Sequence, residues 1–265
     1  MKEKILACLS RDYPWRERFQ FIPELDSTND QLKLLAKQGA PHGTVLIADR
    51  QTGGHGRRGR TFLSPAGVGI YLSILLRPQC APGELMHLTC AAAVAMCDAV
   101  EASAGFRPGI KWTNDLVYGG RKLCGILTEL GLSPRGGLDY AIIGIGVNCC
   151  QSESDFPPEI RNIAGSLAMA SGREICRPRV AAAMMEALYA MSEALSGSRQ
   201  AMLARYRADC VTIGQEISLL RGGEVRRGKA LDVDSQGALV VAFADGTVEA
   251  VTSGEVSVRG MYGYV

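Results

Sequence analysis

Apolar residues recur with two periods along the first 212 residues, and each period predicts one kind of element. They occupy every second position from 70 to 76, which is typical of a strand with one well-packed face. Shorter apolar runs predict further strands at 45–48, 109–112, 122–130 and 140–148. The last two are expected to form a hairpin, because a segment rich in proline and glycine joins them.

Helical spacing occurs in several other segments. Leu32, Leu35 and Ala36 share one face of a helix that opens at Ser27 and stops at Gly39. Residues 84–104 are apolar nearly all round and predict a buried helix, while 179–195 and 200–207 predict amphipathic helices. Residues 1–20 are short and charged, which indicates a short helix or an arm.

Beyond residue 213 the pattern changes to a series of short β runs. These lie at 217–220, 224–233, 238–243, 247–251 and 256–259. Glycine-containing turns separate them, and Asp245-Gly246 is a strong signal for a tight hairpin. Several short strands in so small a segment predict a small SH3-like β-barrel, so we expect two domains, 1–212 and 213–265.

The composition is that of an ordinary globular protein, with 47% hydrophobic and 21% charged residues in a chain of 265. The net charge of +2 gives no electrostatic argument for binding DNA or a membrane surface. No apolar run approaches the roughly 18–20 residues of a membrane helix, and the N-terminus has no secretory signal. Nine cysteines without metal-like spacing indicate buried, reduced thiols, and therefore a cytoplasmic protein.

The segment directly after the first apolar run carries the strongest chemical signal. Residues 51–60 contain four glycines and three arginines. Glycine lets the backbone approach a ligand closely, and arginine presents a planar fork of donors to phosphate or carboxylate. The segment therefore predicts a mobile loop that closes over an anion, although an exposed basic loop would have the same composition. It matches neither a Walker loop nor a dinucleotide-binding turn.

Further motifs accompany this loop. Residues 111–115 read Lys-Trp-Thr-Asn-Asp, residues 120–127 read Gly-Arg-Lys-Leu-Cys-Gly-Ile-Leu, and residues 144–148 read Gly-Ile-Gly-Val-Asn. With Ser-Thr-Asn at 27–29, their order and spacing resemble a biotin protein ligase over most of residues 22–265. The resemblance implies an α+β fold, in which helices flank the mixed β-sheet of a catalytic domain and a small SH3-like β-barrel follows.

The resemblance also implies a reaction in two steps. The carboxylate of biotin attacks the α-phosphate of ATP, with Mg²⁺ as the expected metal, to give biotinoyl-5′-AMP and pyrophosphate. A lysine of a biotin carboxyl carrier protein then displaces AMP. Because two anions meet in the first step, positioning and cationic stabilisation matter more than a protein nucleophile. A helix-turn-helix does not fit before the first motif, so we expect a ligase that binds no DNA.

The positions that match the family motifs form a set of candidate site residues. The resemblance implies that the catalytic residues are Arg57, Lys122 and Asp115. The biotin pocket is expected to comprise Ser27, Thr28, Asn29, Gln51, Gly54, His55, Arg57, Lys122 and Gly125. The nucleotide is expected to contact Arg57, Arg60, Lys111, Asn114, Lys122 and Asn148.

Several roles stay open at the level of the sequence. Asp115 is either a Mg²⁺ ligand or a residue that orients Lys122 or the incoming amine. His55 stands where the family usually has arginine, and because histidine is shorter and mostly neutral near pH 7, its hold on a ligand should be weaker. The polar stretch 151–165 is either a lid or an excursion on the surface.

Two other functions compete with the ligase. A lipoate or octanoyl ligase or transferase shares the catalytic fold, but the glycine–arginine loop and the C-terminal barrel disfavour it. A non-catalytic biotin-binding regulator is disfavoured because both Arg57 and Lys122 are present. The sequence is compatible with a monomer or a homodimer.

Overall fold

The computed structural model describes residues 1–78, 85–133, 137–252 and 255–258. A seven-stranded mixed sheet organises the first 212 residues, with β1 and β2 parallel and all other neighbours antiparallel. In chain order the strands are β1 (Phe19–Leu25), β2 (Thr44–Gln51), β3 (Gly69–Leu76), β4 (Gly109–Lys111), β5 (Asp115–Tyr118), β6 (Arg121–Leu132) and β7 (Leu138–Asn148). Their spatial order is β1-β2-β3-β7-β6-β5-β4.

Helices cover both faces of this sheet. They are α1 (Lys2–Cys8), α2 (Thr28–Lys37), α3 (Leu85–Ala104), α4 (Leu167–Ser171), α5 (Arg177–Ala194) and α6 (Arg199–Asp209). The larger core lies where α3 and α5 pack on one face, and a smaller core lies under α2 on the other. The predicted helices and the mixed α+β architecture are confirmed. Among the described helices, none combines the length and the apolar character needed to span a bilayer.

Two strands and one helix were not predicted. β1 contains Pro23 and polar residues, which is tolerated because β1 lies at the edge of the sheet. β5 has only four residues and turns into β6 through Gly119 and Gly120, whose φ angles are +55° and +75°. The short helix α4 follows the polar stretch and begins at a Ser166 cap.

The prediction of a single packed face for β3 is wrong. All eight of its residues are buried, including Tyr71, Ser73 and Leu75 on the second face. The α2 helix covers Ser73 and Leu75, while the Tyr71 hydroxyl donates to Pro65 O at the end of the 51–65 loop, 2.9 Å away. Side chains of β3 therefore do alternate between the two faces of the sheet, but both faces are covered by other parts of the protein.

The C-terminal segment forms a five-stranded antiparallel sheet, as the pattern predicted. Its strands are β8 (Glu216–Arg221), β9 (Glu224–Val233), β10 (Leu239–Phe243), β11 (Val248–Val251) and β12 (Glu255–Val258), in the order β11-β10-β9-β8-β12. Within the described strands β11 and β12 remain edges, so the barrel is not closed there. The predicted end of the last strand at Arg259 lies outside the described residues, as does part of the turn between β6 and β7.

The cysteines in the described part of the chain all carry free thiols. Burial raises the pKa of Cys90 to about 12 and holds the pKa of Cys124 well above its usual value. Both residues pack in the core, as expected for buried, reduced thiols. The expectation of buried thiols does not extend to Cys8 and Cys176, which are exposed.

Candidate active site

A cleft opens on the α2 face of the main sheet, and its floor is made largely of glycine. Gly144 of β7 pairs with Ser73 and Leu127, and Gly146 pairs with Tyr71 and Gly125. Paired residues place their side chains on the same face of a sheet, so these positions form one surface. This surface lies close to the backbone of the sheet because three of its residues, Gly125, Gly144 and Gly146, have no side chain.

The missing side chains leave room for residues that project over the sheet. A Cβ on Gly144 would lie 2.1 Å from Asn29 Oδ1, and a Cβ on Gly146 would lie 2.3 Å from the ring of Phe62. At Gly125 a Cβ would lie 3.1 Å from Lys122 Nζ. Glycine is therefore required at the first two positions for the cleft to have this shape.

One end of the cleft is lined by neutral polar groups from the start of α2. The Thr28 amide and Oγ1 both donate to Gln51 Oε1, at 2.8 and 3.0 Å. Gln51 Nε2 donates in turn to Ser64 Oγ at 3.0 Å. Ser27 caps the helix by accepting from the Asp30 amide at 3.4 Å. Because α2 begins here, its first turn offers short polar side chains and backbone N–H groups to the cleft.

Asn29 continues this polar end towards β6. Its side chain is buried, with Oδ1 2.6 Å from Ser73 Oγ and Nδ2 donating to Glu129 Oε2 at 2.8 Å. The other oxygen of Glu129 lies 2.7 Å from Lys33 Nζ, which also contacts Asp30 at 2.9 Å. A polar network thus runs from the cleft to the surface of α2.

Charge on the surface side of this network shifts two pKa values. Burial alone would raise the pKa of Asp30, but the hydrogen bond and the charge of Lys33, together with His55 and Ser27, outweigh burial and the net shift is downward. Burial likewise lowers the pKa of Lys33, but hydrogen bonds to Glu129 and Asp30 outweigh it and the pKa rises. Asp30, Glu129 and His55 also have potential metal-ligand atoms within 4.8 Å of one another. Because the Lys33 ammonium already contacts both carboxylates, this cluster is better described as an ion-pair network.

The other end of the cleft is cationic. Lys122 Nζ lies 2.7 Å from Asp115 Oδ1, across the β5–β6 pair. Arg57 donates to Asn114 Oδ1 at 2.9 Å, and Asn114 Nδ2 donates to Ile126 O at 2.9 Å. The arrangement holds a lysine and an arginine beside one carboxylate, which suits it to bind anionic groups.

The 111–115 motif is held from behind by residues of α6 and the C-terminal segment. The Trp112 amide donates to Thr212 Oγ1 at 2.9 Å, and its indole Nε1 donates to Gly237 O at 3.0 Å. The hydroxyl of Tyr206 donates to Thr113 O at 3.0 Å. Trp112 is buried, and it also lines the cleft. The C-terminal sheet thus supports the wall that carries Asn114 and Asp115.

The glycine–arginine loop forms a short hairpin over the cleft. Its two sides are joined by bonds from the Gln51 amide to Ser64 O, from the Phe62 amide to Gly54 O, and from the Gly56 amide to Arg60 O. The Gly53 amide donates to Asp26 O at 2.8 Å, which ties the hairpin to the residues before α2. Arg58 has a left-handed backbone with a φ of +60°.

The polar stretch 151–165 packs against the backbone of Lys122. The Lys122 amide donates to Ile163 O at 2.8 Å, and Lys122 O accepts from the Gly165 amide at 2.9 Å. Phe156 is buried, so the stretch is anchored at both its middle and its end. The alternative of a surface excursion therefore applies only to the exposed residues 152–155, 158, 159 and 162.

Most of the predicted site residues come together in this one cleft. Its described lining includes Ser27, Thr28, Asn29, Gln51, His55, Arg57, Arg60, Lys111, Asn114, Asp115, Lys122 and Gly125. Gly54 and Asn148 are not part of that lining. Gly54 lies behind Gln51, and the Asn148 side chain donates to Gly165 O at 2.9 Å. Their roles in binding stay predictions.

His55 lines the cleft but its ring also turns towards α2. Its Nδ1 lies 3.1 Å from Gly53 O and 3.9 Å from Asp30 Oδ2. Sequence reasoning missed Glu129, Lys33 and Ser73, which organise the polar end. A signal was present, because Ser73 is the only hydroxyl residue of 70–76 besides a tyrosine, and Glu129 is the only charged residue of 123–132.

Comparison with known proteins agrees with this geometry. Residues 21–148 match the Biotin/lipoate A/B protein ligase family, and residues 212–259 match the Biotin protein ligase C terminal domain. Over 248 residues the chain is 32% identical to the biotin–[acetyl-CoA-carboxylase] ligase of Mycobacterium tuberculosis, covering 91% of this chain and 89% of that protein. The chain belongs to the biotin protein ligase family.

Two further relatives extend this similarity over most of the chain. The bifunctional ligase/repressor BirA of Bacillus spizizenii is 35% identical over 225 residues, which cover 84% of this chain and 68% of that protein. The biotin protein ligase of Aquifex aeolicus, solved in complex with biotin and ATP, superposes with a TM-score of 0.77 at 29% identity and covers 91% of this chain and 98% of that one.

Proposed function

We propose that this chain activates biotin with ATP to biotinoyl-5′-AMP and transfers the biotinoyl group to a lysine of a biotin carboxyl carrier protein. The main support for the proposal is that one end of the cleft is neutral and polar whereas the other end is cationic. Neutral donors and acceptors from Thr28, Asn29 and Gln51 line one end, and Lys122 and Arg57 line the other. A ligand with a polar neutral ring and an anionic tail matches both ends, which biotin does. The structure of a relative with biotin and ATP supports the same pairing of substrates.

In the first step the biotin carboxylate and the α-phosphate must approach each other although both are negative. Lys122 and Arg57 would offset this repulsion and stabilise the charge that builds up on the phosphoryl oxygens. Asp115 holds the Lys122 ammonium at 2.7 Å and so fixes its position before the substrates arrive. The ammonium has three donors, so it can keep Asp115 and contact both substrates. Pyrophosphate then leaves and the mixed anhydride remains.

In the second step the carrier lysine attacks the anhydride carbonyl and AMP leaves. Arg57 remains beside the phosphate of the leaving group, and the hairpin 51–65 covers the intermediate. We assign nucleotide contacts to Arg57, Arg60, Lys111, Asn114, Lys122 and Asn148, and biotin contacts to Ser27, Thr28, Asn29, Gln51, Gly54, His55, Arg57, Lys122 and Gly125. The 1–212 segment would act as the catalytic domain and 213–265 as the supporting domain, in a cytoplasmic monomer or homodimer.

Mg²⁺ fits this site through a single protein carboxylate. Asp115 is the one acidic residue in the described lining of the cleft, and Mg²⁺ bound with nucleotides commonly takes one or two carboxylates plus substrate phosphates. Asp115 would hold the ion together with the phosphates, and the ion would neutralise charge on the departing pyrophosphate. The contact by which Asp115 positions Lys122 does not require the Mg²⁺ ion.

Calorimetric titration separates this function from its rivals. We expect biotin to bind the free protein, and ATP with biotin to release pyrophosphate and yield a complex that labels a lysine of a carrier domain. A lipoate or octanoyl ligase would bind lipoate or octanoate in preference to biotin. Binding of biotin without any pyrophosphate release would instead identify a non-catalytic regulator and contradict the proposal.

A further inference from the structure

The orientation of the Asn29 carboxamide in the cleft is set by the protein groups that it contacts. Its Nδ2 donates to Glu129 Oε2 at 2.8 Å, and its Oδ1 lies 2.6 Å from Ser73 Oγ. An ionised carboxylate can only accept hydrogen bonds, so Glu129 requires the NH₂ group on its side. The oxygen of Asn29 must then face Ser73, over Gly144, where a side chain would collide with it.

This orientation sets the direction of the next hydrogen bonds. The Ser73 hydroxyl has one hydrogen, and its oxygen lies 2.6 Å from Asn29 Oδ1 and 2.7 Å from Thr28 Oγ1. Because Asn29 Oδ1 can only accept, Ser73 donates to Asn29 and not to Thr28. Thr28 Oγ1 then shares its one hydrogen between Ser73 Oγ at 2.7 Å and Gln51 Oε1 at 3.0 Å, so its oxygen keeps lone pairs that can face the cleft.

We propose that Glu129 is a positioning residue for recognition of the ligand ring. Held by Lys33, Glu129 fixes the orientation of the Asn29 carboxamide. Thr28 Oγ1 thereby stays available as a hydrogen-bond acceptor for an N–H group of a cyclic urea. The inference rests on the proposed function, because it assumes that the biotin ring occupies the α2 end of the cleft. Glu129 itself is not among the residues that line the described cleft, and it acts through Asn29 and Ser73.

Lys33 makes the inference specific. Its ammonium lies 2.7 Å from Glu129 Oε1, and an ammonium can only donate. In Glu129→Gln, Lys33 therefore holds the carboxamide oxygen and leaves the NH₂ group of Gln facing the NH₂ group of Asn29. Two donors cannot bond, and the other acceptor of Asn29 Nδ2, Leu127 O, lies at the long distance of 3.5 Å, so we expect Asn29 to rotate and present Nδ2 to Ser73. Ser73 then donates to Thr28 Oγ1, and the acceptor for the ligand is occupied.

The test compares Glu129→Gln with the double variant Glu129→Gln/Lys33→Met. We expect Glu129→Gln to weaken biotin binding about tenfold, the effect of losing one well-placed acceptor, with kcat at saturating biotin within about threefold of wild type. Removing the ammonium frees Gln to turn its oxygen towards Asn29. The double variant should therefore bind biotin within about threefold of wild type, although it lacks more native contacts.

Lys33→Met alone keeps the acceptor at Glu129 and should bind biotin nearly as wild type does, and Lys37→Met, on an exposed position of the same helix, is the matched control. Dethiobiotin, which keeps the urea, should lose affinity for Glu129→Gln by the same factor as biotin. A double variant no better than Glu129→Gln would overturn the inference, as would full affinity in Glu129→Gln. Failure of the wild type itself to bind biotin would instead overturn the proposed function.

Discussion

Lys122 and Asp115 face each other across the β5–β6 pair, with Nζ and Oδ1 2.7 Å apart at the cationic end of the cleft. The backbone of Lys122 is bonded on both sides, to Ile163 and to Gly165. The lysine is therefore held by its side chain and by its main chain. Such double support would keep a cation in place where, under the proposed function, two anionic substrates meet, and it would do so before either one binds.

We predict that Lys122→Ala abolishes adenylation and leaves the fold intact. Loss of one charge-assisted contact of this kind costs roughly 2–4 kcal/mol of barrier, so biotin-dependent pyrophosphate release should fall by about 10²–10³-fold. Lys37→Ala removes a lysine from an exposed position on α2 and serves as the control. Circular dichroism would show whether the fold is kept. Pyrophosphate release by Lys122→Ala near the wild-type rate would refute the role.

Arg57 is expected to retain the reactive intermediate. Its guanidinium donates to Asn114 Oδ1 at 2.9 Å and so links the hairpin to the opposite wall of the cleft. Arg57→Gly removes that link and a cation beside the adenylate, so biotinoyl-5′-AMP should escape and label lysines on an added bystander protein. Blotting of the bystander with streptavidin measures this. Arg221→Gly, at the exposed end of β8, should cause no labelling. An unlabelled bystander with Arg57→Gly at preserved turnover would mean that Arg57 does not retain the intermediate.

Gly146 provides the space for Phe62 to lie over the sheet. A Cβ at Gly146 would lie 2.3 Å from the Phe62 ring, a distance that real Cβ contacts do not reach. Gly146→Ala should therefore displace the ring and weaken biotin binding about tenfold or more, which calorimetry would measure. If the effect acts through Phe62, Gly146→Ala should add little to Phe62→Ala in a double-mutant cycle. Fully additive losses would show that Gly146 acts by another route.

The ion pair between Asp30 and Lys33 predicts how its contribution to stability varies with pH. The pKa of Asp30 is lowered on folding, so its contribution is present above the unfolded value near 3.8 and is lost as the pH falls further. The pKa of Lys33 is raised, so its contribution is present below the unfolded value near 10.5 and is lost as the pH rises through the folded value. Both groups are partly exposed, so the pair contributes less than about 1 kcal/mol.

Denaturant unfolding of the wild type and of Asp30→Asn would check this. The difference in unfolding free energy should be constant between about pH 5 and pH 9 and should shrink below pH 4, where the wild-type carboxylate is protonated. High salt should reduce it as well, because exposed pairs are screened. A difference that persists unchanged at pH 3 would show that Asp30 stabilises the protein by something other than its charge.

The amino-acid sequence by itself determined most of the elements and the membership of the cleft. Alternation and helical spacing located β2, β3, β6, β7 and the four longest helices, because those segments bury one or both faces in a period that the chain itself displays. It missed β1 and β5, since an edge strand with a proline and a four-residue strand carry too little periodic signal. The motifs also identified the lysine, arginine and aspartate residues that line the cleft, because each of these residue types has a recognisable role in binding anionic substrates or in holding a cation.

Only the tertiary structure decided which of those residues touch each other. Glu129 and Lys33 are 96 positions apart in the chain, and Ser73 and Asn29 are 44 positions apart, yet each pair is in hydrogen-bond contact. No local pattern encodes such distances, since they arise when α2 is laid across β3, β7 and β6. For the same reason the sequence did not indicate that the Asn148 amide donates to Gly165 O, 17 positions away in the chain, and its predicted contact with the nucleotide stays a prediction. Secondary-structure propensity and side-chain chemistry are properties of single residues and short segments. The partners and the direction of a hydrogen bond are decided only when the sheet and the helix pack together.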